Sequence, residues 1–213
     1  MRARGAALAT LAAGALCAPA GASAAEIAVD QECYAENSGT ITVTGSGYTP
    51  SSTATVVVGP ASVTAATDAT GAFTATLTPP MTTLKHPGAQ QLSLTGTDAA
   101  GLAATTPVNL AKTGVDGTPA TSKPHQRITW NIAGFPGTKP IYGHWRIRGK
   151  TRADHRMGVP KGPCGVLHVR ARQIQAKRIR FGTWLVQFDF NRRYDKHATP
   201  RASVKIKVFK TFG

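Results

Sequence analysis

Apolar and polar residues alternate along many short segments of the chain, and this two-residue period constrains the fold more than any other feature. Side chains on a strand point to opposite faces in turn, so each segment offers one apolar face to a core and one polar face to water. Turn signals recur about every 8–12 residues and no helical period is present, which predicts antiparallel β-sandwiches. In the second half of the chain the alternating segments are 128–132, 141–148, 167–172, 184–190 and 204–209.

The first 25 residues have the pattern of a targeting segment. Arg2 and Arg4 precede an apolar stretch from Ala6 to Ala18, and small residues end in Ala22-Ser-Ala24. A basic start, a short apolar core and an A-x-A type site are typical of a cleaved secretory signal peptide. The apolar stretch is shorter than the roughly 20 residues that a membrane anchor needs. We therefore predict a signal peptide at 1–25, a secreted protein of the extracellular space or cell envelope, and no transmembrane segment.

Charge divides the remaining chain into two parts. Residues 26–120 hold two lysines and seven acidic residues, a net charge of −5, whereas residues 121–213 hold 21 Lys and Arg and three Asp, a net charge of +18. The Gly, Pro and Thr content of 113–126 is typical of a linker. We predict an acidic β-sandwich at 26–112, a linker at 113–126 and a basic β-sandwich at 127–213.

Three turn-rich segments of the acidic part resemble a known group of modules. They are ITVTGSGYTP, ATDATGAFTATLTPP and LSLTGTDAAG. They are similar to the immunoglobulin-like modules of secreted bacterial proteins, including the IPT/TIG type, and the resemblance covers residues 27–112. It implies an immunoglobulin-like sandwich over these residues in a family of unknown function, and it says little about activity, since a fold of this kind hosts many unrelated functions. Together with the alternating strands of the basic part, the prediction is two tandem immunoglobulin-like sandwiches.

Cationic side chains share one parity of three predicted strands in the basic part. If two of these strands share a sheet, the cations form a basic face that attracts polyanions at long range. The alternatives are that they only protect sheet edges from aggregation, or that they dock the acidic part. Only Tyr142 and Phe209 add aromatic rings to this face, which is fewer than single-strand nucleic-acid binding normally uses. The predicted partner is an anionic cell-surface polymer or a protein, with nucleic acid disfavoured. The predicted binding residues are Arg146, Arg148, His168, Arg170, Arg172, Lys205 and Lys207.

Two cysteines, Cys33 and Cys164, follow the predicted signal peptide. An even pair in an oxidising compartment predicts a disulfide, which would tie the two parts together. The alternative is a Cys-dependent cell-wall enzyme similar to the L,D-transpeptidases, with Cys164 as nucleophile and a histidine as base. Those enzymes carry Ser or Thr in the motif before their Gly-Cys, whereas this chain has Gly162-Pro163 before the cysteine.

The remaining chemistry-bearing residues form no recognisable site. The histidines and aspartates of the basic part lack metal-ligand spacing, and no Gly-rich phosphate loop is present, so we predict no metal and no cofactor. A small-molecule carrier is a further alternative, because the acidic part resembles secreted chromoprotein carriers of the neocarzinostatin type, although it lacks their two internal disulfides. The sequence favours a secreted, non-enzymatic all-β protein. Its acidic sandwich would be a spacer, and its basic sandwich would bind an anionic envelope component or a protein partner.

Overall fold

The computed structural model describes residues 24–120 and 122–209, and the predicted signal peptide at 1–25 lies almost wholly outside them. Within these two ranges the chain consists of strands and connecting turns, and no helix there is long and apolar enough to cross a membrane. The all-β fold predicted from the alternating pattern is confirmed. The fifteen strands of the described ranges are β1 (Glu26–Val29), β2 (Tyr34–Ala35), β3 (Ile41–Ser46), β4 (Thr53–Val58), β5 (Ala61–Ala66), β6 (Phe73–Leu77), β7 (Gly88–Asp98), β8 (Ala103–Lys112), β9 (Gly114–Thr118), β10 (Arg127–Ala133), β11 (Ile141–Ile147), β12 (Lys150–Gly158), β13 (Leu167–Arg172), β14 (Gly182–Asp189) and β15 (Arg201–Val208).

The strands form four sheets, which supply two separate hydrophobic cores in the described part of the chain. Sheets β1-β3-β6 and β2-β8-β7-β4-β5 supply one core, and we call this part the N-terminal unit. Sheets β13-β10-β9 and β12-β11-β14-β15 supply the other core and form the C-terminal unit. Two sheets that bury their apolar faces around one core give each unit a sandwich-like arrangement.

The core of the N-terminal unit follows directly from the alternating pattern. Ile41 and Val43 on β3 face Val56 and Val58 on β4, and all four side chains are fully buried. The side chains that alternate with them are partly buried or exposed, as half-buried strands require. The predicted strands of this unit are therefore positioned by the burial of their β-branched side chains.

The core of the C-terminal unit is built around three tryptophans. Trp130, Trp145 and Trp184 are at most 1% exposed. The Trp145 indole N–H donates to the Gln173 carbonyl over 2.8 Å, and that of Trp184 donates to the Arg180 carbonyl over 2.9 Å. A buried indole needs such an acceptor. The segment 173–180 is an irregular loop that supplies those carbonyls.

Two segments differ from the sequence-based prediction. The first residues of the predicted linker at 113–126 form β9, which pairs with β10 and places Gly117 opposite Trp130. β9 therefore belongs to the C-terminal unit. Residues 150–158 form β12, an edge strand in which Ala153 and Met157 turn inward among charged neighbours.

A disulfide joins the two units. The Cα atoms of Cys33 and Cys164 lie 5.3 Å apart, and their sulfur atoms are bonded, which confirms the predicted pair. Cys33 lies between β1 and β2 of the N-terminal unit, and Cys164 lies between β12 and β13 of the C-terminal unit. A second contact crosses the junction, where His86 Nδ1 lies 2.7 Å from a carboxylate oxygen of Asp116 on β9.

Candidate functional site

The seven cations predicted to form one basic face lie on both sheets of the C-terminal unit. These sheets share one core, so their outer faces point away from each other. The seven predicted side chains therefore do not form one continuous face. His168, Arg170 and Arg172 lie on β13 in one sheet, whereas Arg146, Arg148, Lys205 and Lys207 lie on or beside β11 and β15 in the other.

A first cleft opens between the edge strands β12 and β13, and it takes in two of those seven residues. Its volume is about 270 Å³. Arg170 and Arg172 line it from β13, and Arg127 lies directly opposite Arg172 in the register of β10 with β13. No carboxylate of the described residues lines this cleft. Its lining residues are Arg127, His155, Arg156, Met157, Val169, Arg170, Ala171, Arg172 and Gln175.

A second cleft, with a volume of about 700 Å³, adjoins the first across β12. His155 and Arg156 line both clefts. The one acidic group among its described lining residues is Asp154, which is bonded to His144. Its lining residues are Tyr142, Asp154, His155, Arg156, Arg192 and Arg193. We refer to the two together as the β12 clefts.

A buried histidine holds the segment beside the second cleft. His144 on β11 is fully buried, with Nδ1 at 2.5 Å from Asp154 and Nε2 at 3.3 Å from Asp189. Both ring nitrogens face carboxylates, an arrangement that favours the doubly protonated imidazolium form. Burial alone would lower the pKa of His144, but hydrogen bonds and charge from Asp189 and Asp154 outweigh it and raise that pKa above its ordinary value.

Asp189 is the fully buried acceptor of this network. Burial alone would raise the pKa of Asp189, but hydrogen bonds from His144, Gln187 and the Asn191 N–H hold it below its ordinary value. Gln187 Nε2 donates to Asp189 over 2.7 Å and to the Asp195 carbonyl over 2.7 Å. The network thereby binds residues 191 and 195 of the β14–β15 connection to the sheet.

Two of the three arginines that line the second cleft lie within this anchored connection. Arg192 and Arg193 fall between the residues that the Asp189 network holds. Tyr194, next along the chain, packs its ring under the Arg146 guanidinium at 3.7 Å from the ring centroid. Arg146 is therefore occupied by an internal contact, whereas Arg192 and Arg193 are exposed.

The arrangement around His144 does not form a metal site. Its two carboxylates lie at different ring nitrogens, which point away from each other, so the three side chains share no common centre. Across residues 24–120 and 122–209, no group of three or more His, Cys, Asp or Glu side chains is placed to hold a metal ion.

The oxidised state of Cys164 bears on the enzyme alternative. A cysteine nucleophile acts as the free thiolate. The sulfur of Cys164 is bonded to that of Cys33, and the residue is 3% exposed. In this state Cys164 cannot serve as the nucleophile of an enzyme similar to the L,D-transpeptidases.

Sequence reasoning found Arg170 and Arg172 but missed the other cations of the β12 clefts. The sequence did contain a signal for Arg127, because it lies on the same side of a predicted strand as Thr129 and Asn131. The others had no such signal, since their nearness to β13 arises from how two sheet edges meet. The missed residues are Arg127, His155, Arg156, Arg192 and Arg193.

Comparison with known proteins gives no family. No family model matches the chain, and no curated protein matches it in sequence. Among solved structures, the chain is similar to a tetra-tandem repeat in the extending region of a large adhesion protein, at 14% identity and a TM-score of 0.29, over 87% of this chain and 48% of that one. It is also similar to a Ca²⁺-stabilized adhesin that helps an Antarctic bacterium reach out and bind ice, at 14% identity and a TM-score of 0.32, over 86% and 47%.

A third similar structure is a DUF3823 family protein from Bacteroides ovatus, at 8% identity and a TM-score of 0.29, over 86% of this chain and 98% of that one. The chain thus spans about half the length of the first two structures and nearly all of the third. Identities and TM-scores this low carry no function over to this chain, and the resemblance to IPT/TIG modules stays a prediction.

Proposed function

We propose that this chain is a secreted, non-enzymatic binding module whose C-terminal unit captures an anionic component of an extracellular surface through the β12 clefts. The N-terminal unit acts as its scaffold. The observation that carries this proposal is the concentration of arginine around one edge strand, where the one carboxylate among the described lining residues, Asp154, is already hydrogen-bonded to His144.

The electrostatics of the clefts favour this role. Clefts lined by one sign of charge raise the local concentration of oppositely charged ligands and speed their association. Arginine also offers a planar fork of donors that matches carboxylate and phosphate oxygens in pairs. The net charge of +18 over residues 121–213 exceeds the magnitude of about 2–8 that solubility of a small domain needs.

The location follows from the covalent chemistry. A disulfide persists in oxidising compartments and is rare in the cytosol. The Cys33–Cys164 bond, together with the predicted signal peptide at 1–25, supports a site of action outside the cytoplasm.

Retention on an immobilised sulfated polysaccharide tests the proposal. We expect the triple variant Arg156→Ala, Arg170→Ala, Arg172→Ala to elute at a clearly lower salt concentration than the unmodified protein. The variant makes fewer ion pairs with the polymer, so less salt is needed to screen those that remain. The control, Arg148→Ala with Lys205→Ala and Lys207→Ala, removes the same charge from residues outside the clefts and should elute close to the unmodified protein. Equal losses in both variants would mean that net charge alone, and not the clefts, governs binding.

A further inference from the structure

We infer that the ligand of the β12 clefts is a flexible linear polymer with phosphodiester groups in its backbone, and that it bends around the edge of the sandwich to occupy both clefts. This inference rests on the proposed function and narrows it to one ligand class.

The placement of the clefts requires a flexible chain. Apart from His155 and Arg156, which line both clefts, the first cleft is lined mainly by the inward-facing Met157 and by β13, and the second mainly by Tyr142 and the β14–β15 connection. The clefts therefore lie on two sides of one strand edge. A flat surface contacts one side of such an edge, and a compact anion fills one cleft, whereas a flexible chain reaches both.

The chemistry of the lining favours backbone anions over pendant rings. Tyr142 is the one aromatic side chain among the described lining residues, and no lysine lines either cleft there. Stacked bases need several aromatic rings, and pockets that hold ring-shaped ligands are mostly apolar and aromatic. These clefts offer guanidinium groups instead, which recognise oxyanions in pairs.

The arginines are spaced for a series of anions. Arg170 and Arg172 lie two residues apart on β13, which separates them by about 6.6 Å along the strand. Arg127 stands directly opposite Arg172 on the neighbouring strand. Like charges directly opposite each other on a sheet destabilise it. Successive anions of a polymer placed among these three groups would relieve that repulsion, which gives the pairing a functional reason.

Titration with a long synthetic poly(glycerol phosphate) and with free glycerol phosphate tests the inference. We expect the long polymer to bind at least about tenfold more tightly than free glycerol phosphate, since several weak ion pairs then act together. It should also bind more tightly than a carboxylated polysaccharide or a single-stranded DNA of equal charge. Equal or tighter binding of the carboxylated polysaccharide would overturn the phosphodiester assignment. Equal or tighter binding of the DNA, which has a phosphodiester backbone but also carries bases, would overturn the choice of a polymer without bases. Either result would leave the proposed function standing. Binding of none of them at low salt would overturn both.

Paired variants test whether the polymer occupies both clefts. Arg170→Ala with Arg172→Ala removes two cations of the first cleft, and Arg192→Ala with Arg193→Ala removes two of the second. We expect each pair to weaken binding of the long polymer about tenfold, corresponding to about 0.7 kcal/mol for each exposed charge. Lys205→Ala with Lys207→Ala is the charge-matched control and should leave affinity unchanged. Loss of affinity in only one of the two cleft variants would overturn the wrapping geometry, provided that thermal unfolding shows both variants folded.

Discussion

At the scale of single residues, His144 lies in a buried charge network on which stability depends. It is fully buried between Asp154 and Asp189, and Asp189 is itself fully buried. Removing one partner of a buried ion pair leaves an uncompensated charge in a medium that solvates it poorly, at a loss of about 3–5 kcal/mol. This residue therefore stabilises the β14–β15 connection and, with it, the position of Arg192 and Arg193.

The opposite pKa shifts of His144 and Asp189 predict a stability maximum at mildly acidic pH. The pKa of His144 is raised on folding, so its contribution is complete below its unfolded value of about 6.5 and is lost as pH rises through the folded value. The pKa of Asp189 is lowered, so its contribution is complete above about 3.9 and is lost as pH falls through the folded value. Melting temperatures measured across this range should peak between about pH 4 and 6.5.

The variant His144→Gln separates this residue from the other titrating groups. A neutral amide cannot balance two carboxylates, so we expect the variant to be destabilised and its melting temperature to lose the decline above pH 6.5. His155→Gln removes an exposed histidine of the same strand pair and should keep that decline. If His144→Gln and the unmodified protein lose stability in parallel with rising pH, the imidazolium assignment is wrong.

Gly165 is held in a left-handed backbone conformation that side chains disfavour. Its φ is +58°, and a Cβ there would overlap the backbone carbonyl of Phe135. We expect Gly165→Ala to lower the free energy of unfolding by about 3 kcal/mol, from backbone strain and overpacking together. Gly162→Ala is a matched control, because its φ is +68° and its Cβ would meet no atom within 4 Å. Its free energy of unfolding should fall only by the cost of backbone strain, about 1 kcal/mol. Equal losses in the two variants, measured by chemical denaturation, would contradict the overlap at Gly165.

At the scale of elements, the strands that the sequence predicted are those with an uninterrupted two-residue period. β12 was missed because its pairing with β11 shifts register between Ile141 and Tyr142 and again between Trp145 and Arg146, which breaks the period. β9 was missed because it carries glycine where a bulky side chain would signal a strand. At Gly117, a Cβ would overlap the side chain of Ile128.

The same reasoning explains how much of the candidate site was predictable. Arg170 and Arg172 were found because strand parity places both on the outer face of β13. Their neighbours across the first cleft, His155 and Arg156, belong to a different sheet. Strand parity assigns a face within one sheet, whereas the distance between two sheet edges depends on how the whole core packs, so the clefts could not be derived from the pattern.

β9 is fixed to its sheet by side chains as well as by its backbone ladder. Asn131 on β10 is 7% exposed, and its Nδ2 donates to Asp116 over 2.7 Å and to Thr118 over 3.1 Å. His86 of the N-terminal unit contacts the second Asp116 oxygen. We expect Asp116→Ala to lower the free energy of unfolding by about 1–2 kcal/mol, because the Asn131 amide loses an acceptor.

Asp116→Asn is the control for that prediction, since it keeps an oxygen that accepts from Asn131 and should retain most of the stability. Chemical denaturation of both variants at one pH measures the difference. An alanine variant as stable as the unmodified protein would show that water replaces the Asp116 carboxylate without loss.

At the scale of the whole molecule, two units with separate cores and opposite net charge are joined covalently at two places. The chain passes directly from β8 to β9 through Thr113, and the Cys33–Cys164 disulfide closes a sequence separation of 131 residues. A cross-link over a loop of this length removes entropy from the unfolded chain and stabilises the fold by up to about 5 kcal/mol. Because each unit has its own core, the loss of the cross-link should also reduce their cooperation in unfolding.

The double variant Cys33→Ala, Cys164→Ala tests this coupling, because the two units can be followed separately. All three tryptophans lie in the C-terminal unit, so their fluorescence reports that unit alone, whereas circular dichroism reports the strands of both.

We expect coincident denaturation curves in the unmodified protein. In the variant, the midpoint should fall and the curves should separate. Coincident curves with an unchanged midpoint would mean that packing at the junction, including the His86–Asp116 contact, couples the units without the covalent bond. The β12 clefts lie within the C-terminal unit, so the proposed polyanion binding should survive in the variant wherever the tryptophan signal shows that unit folded.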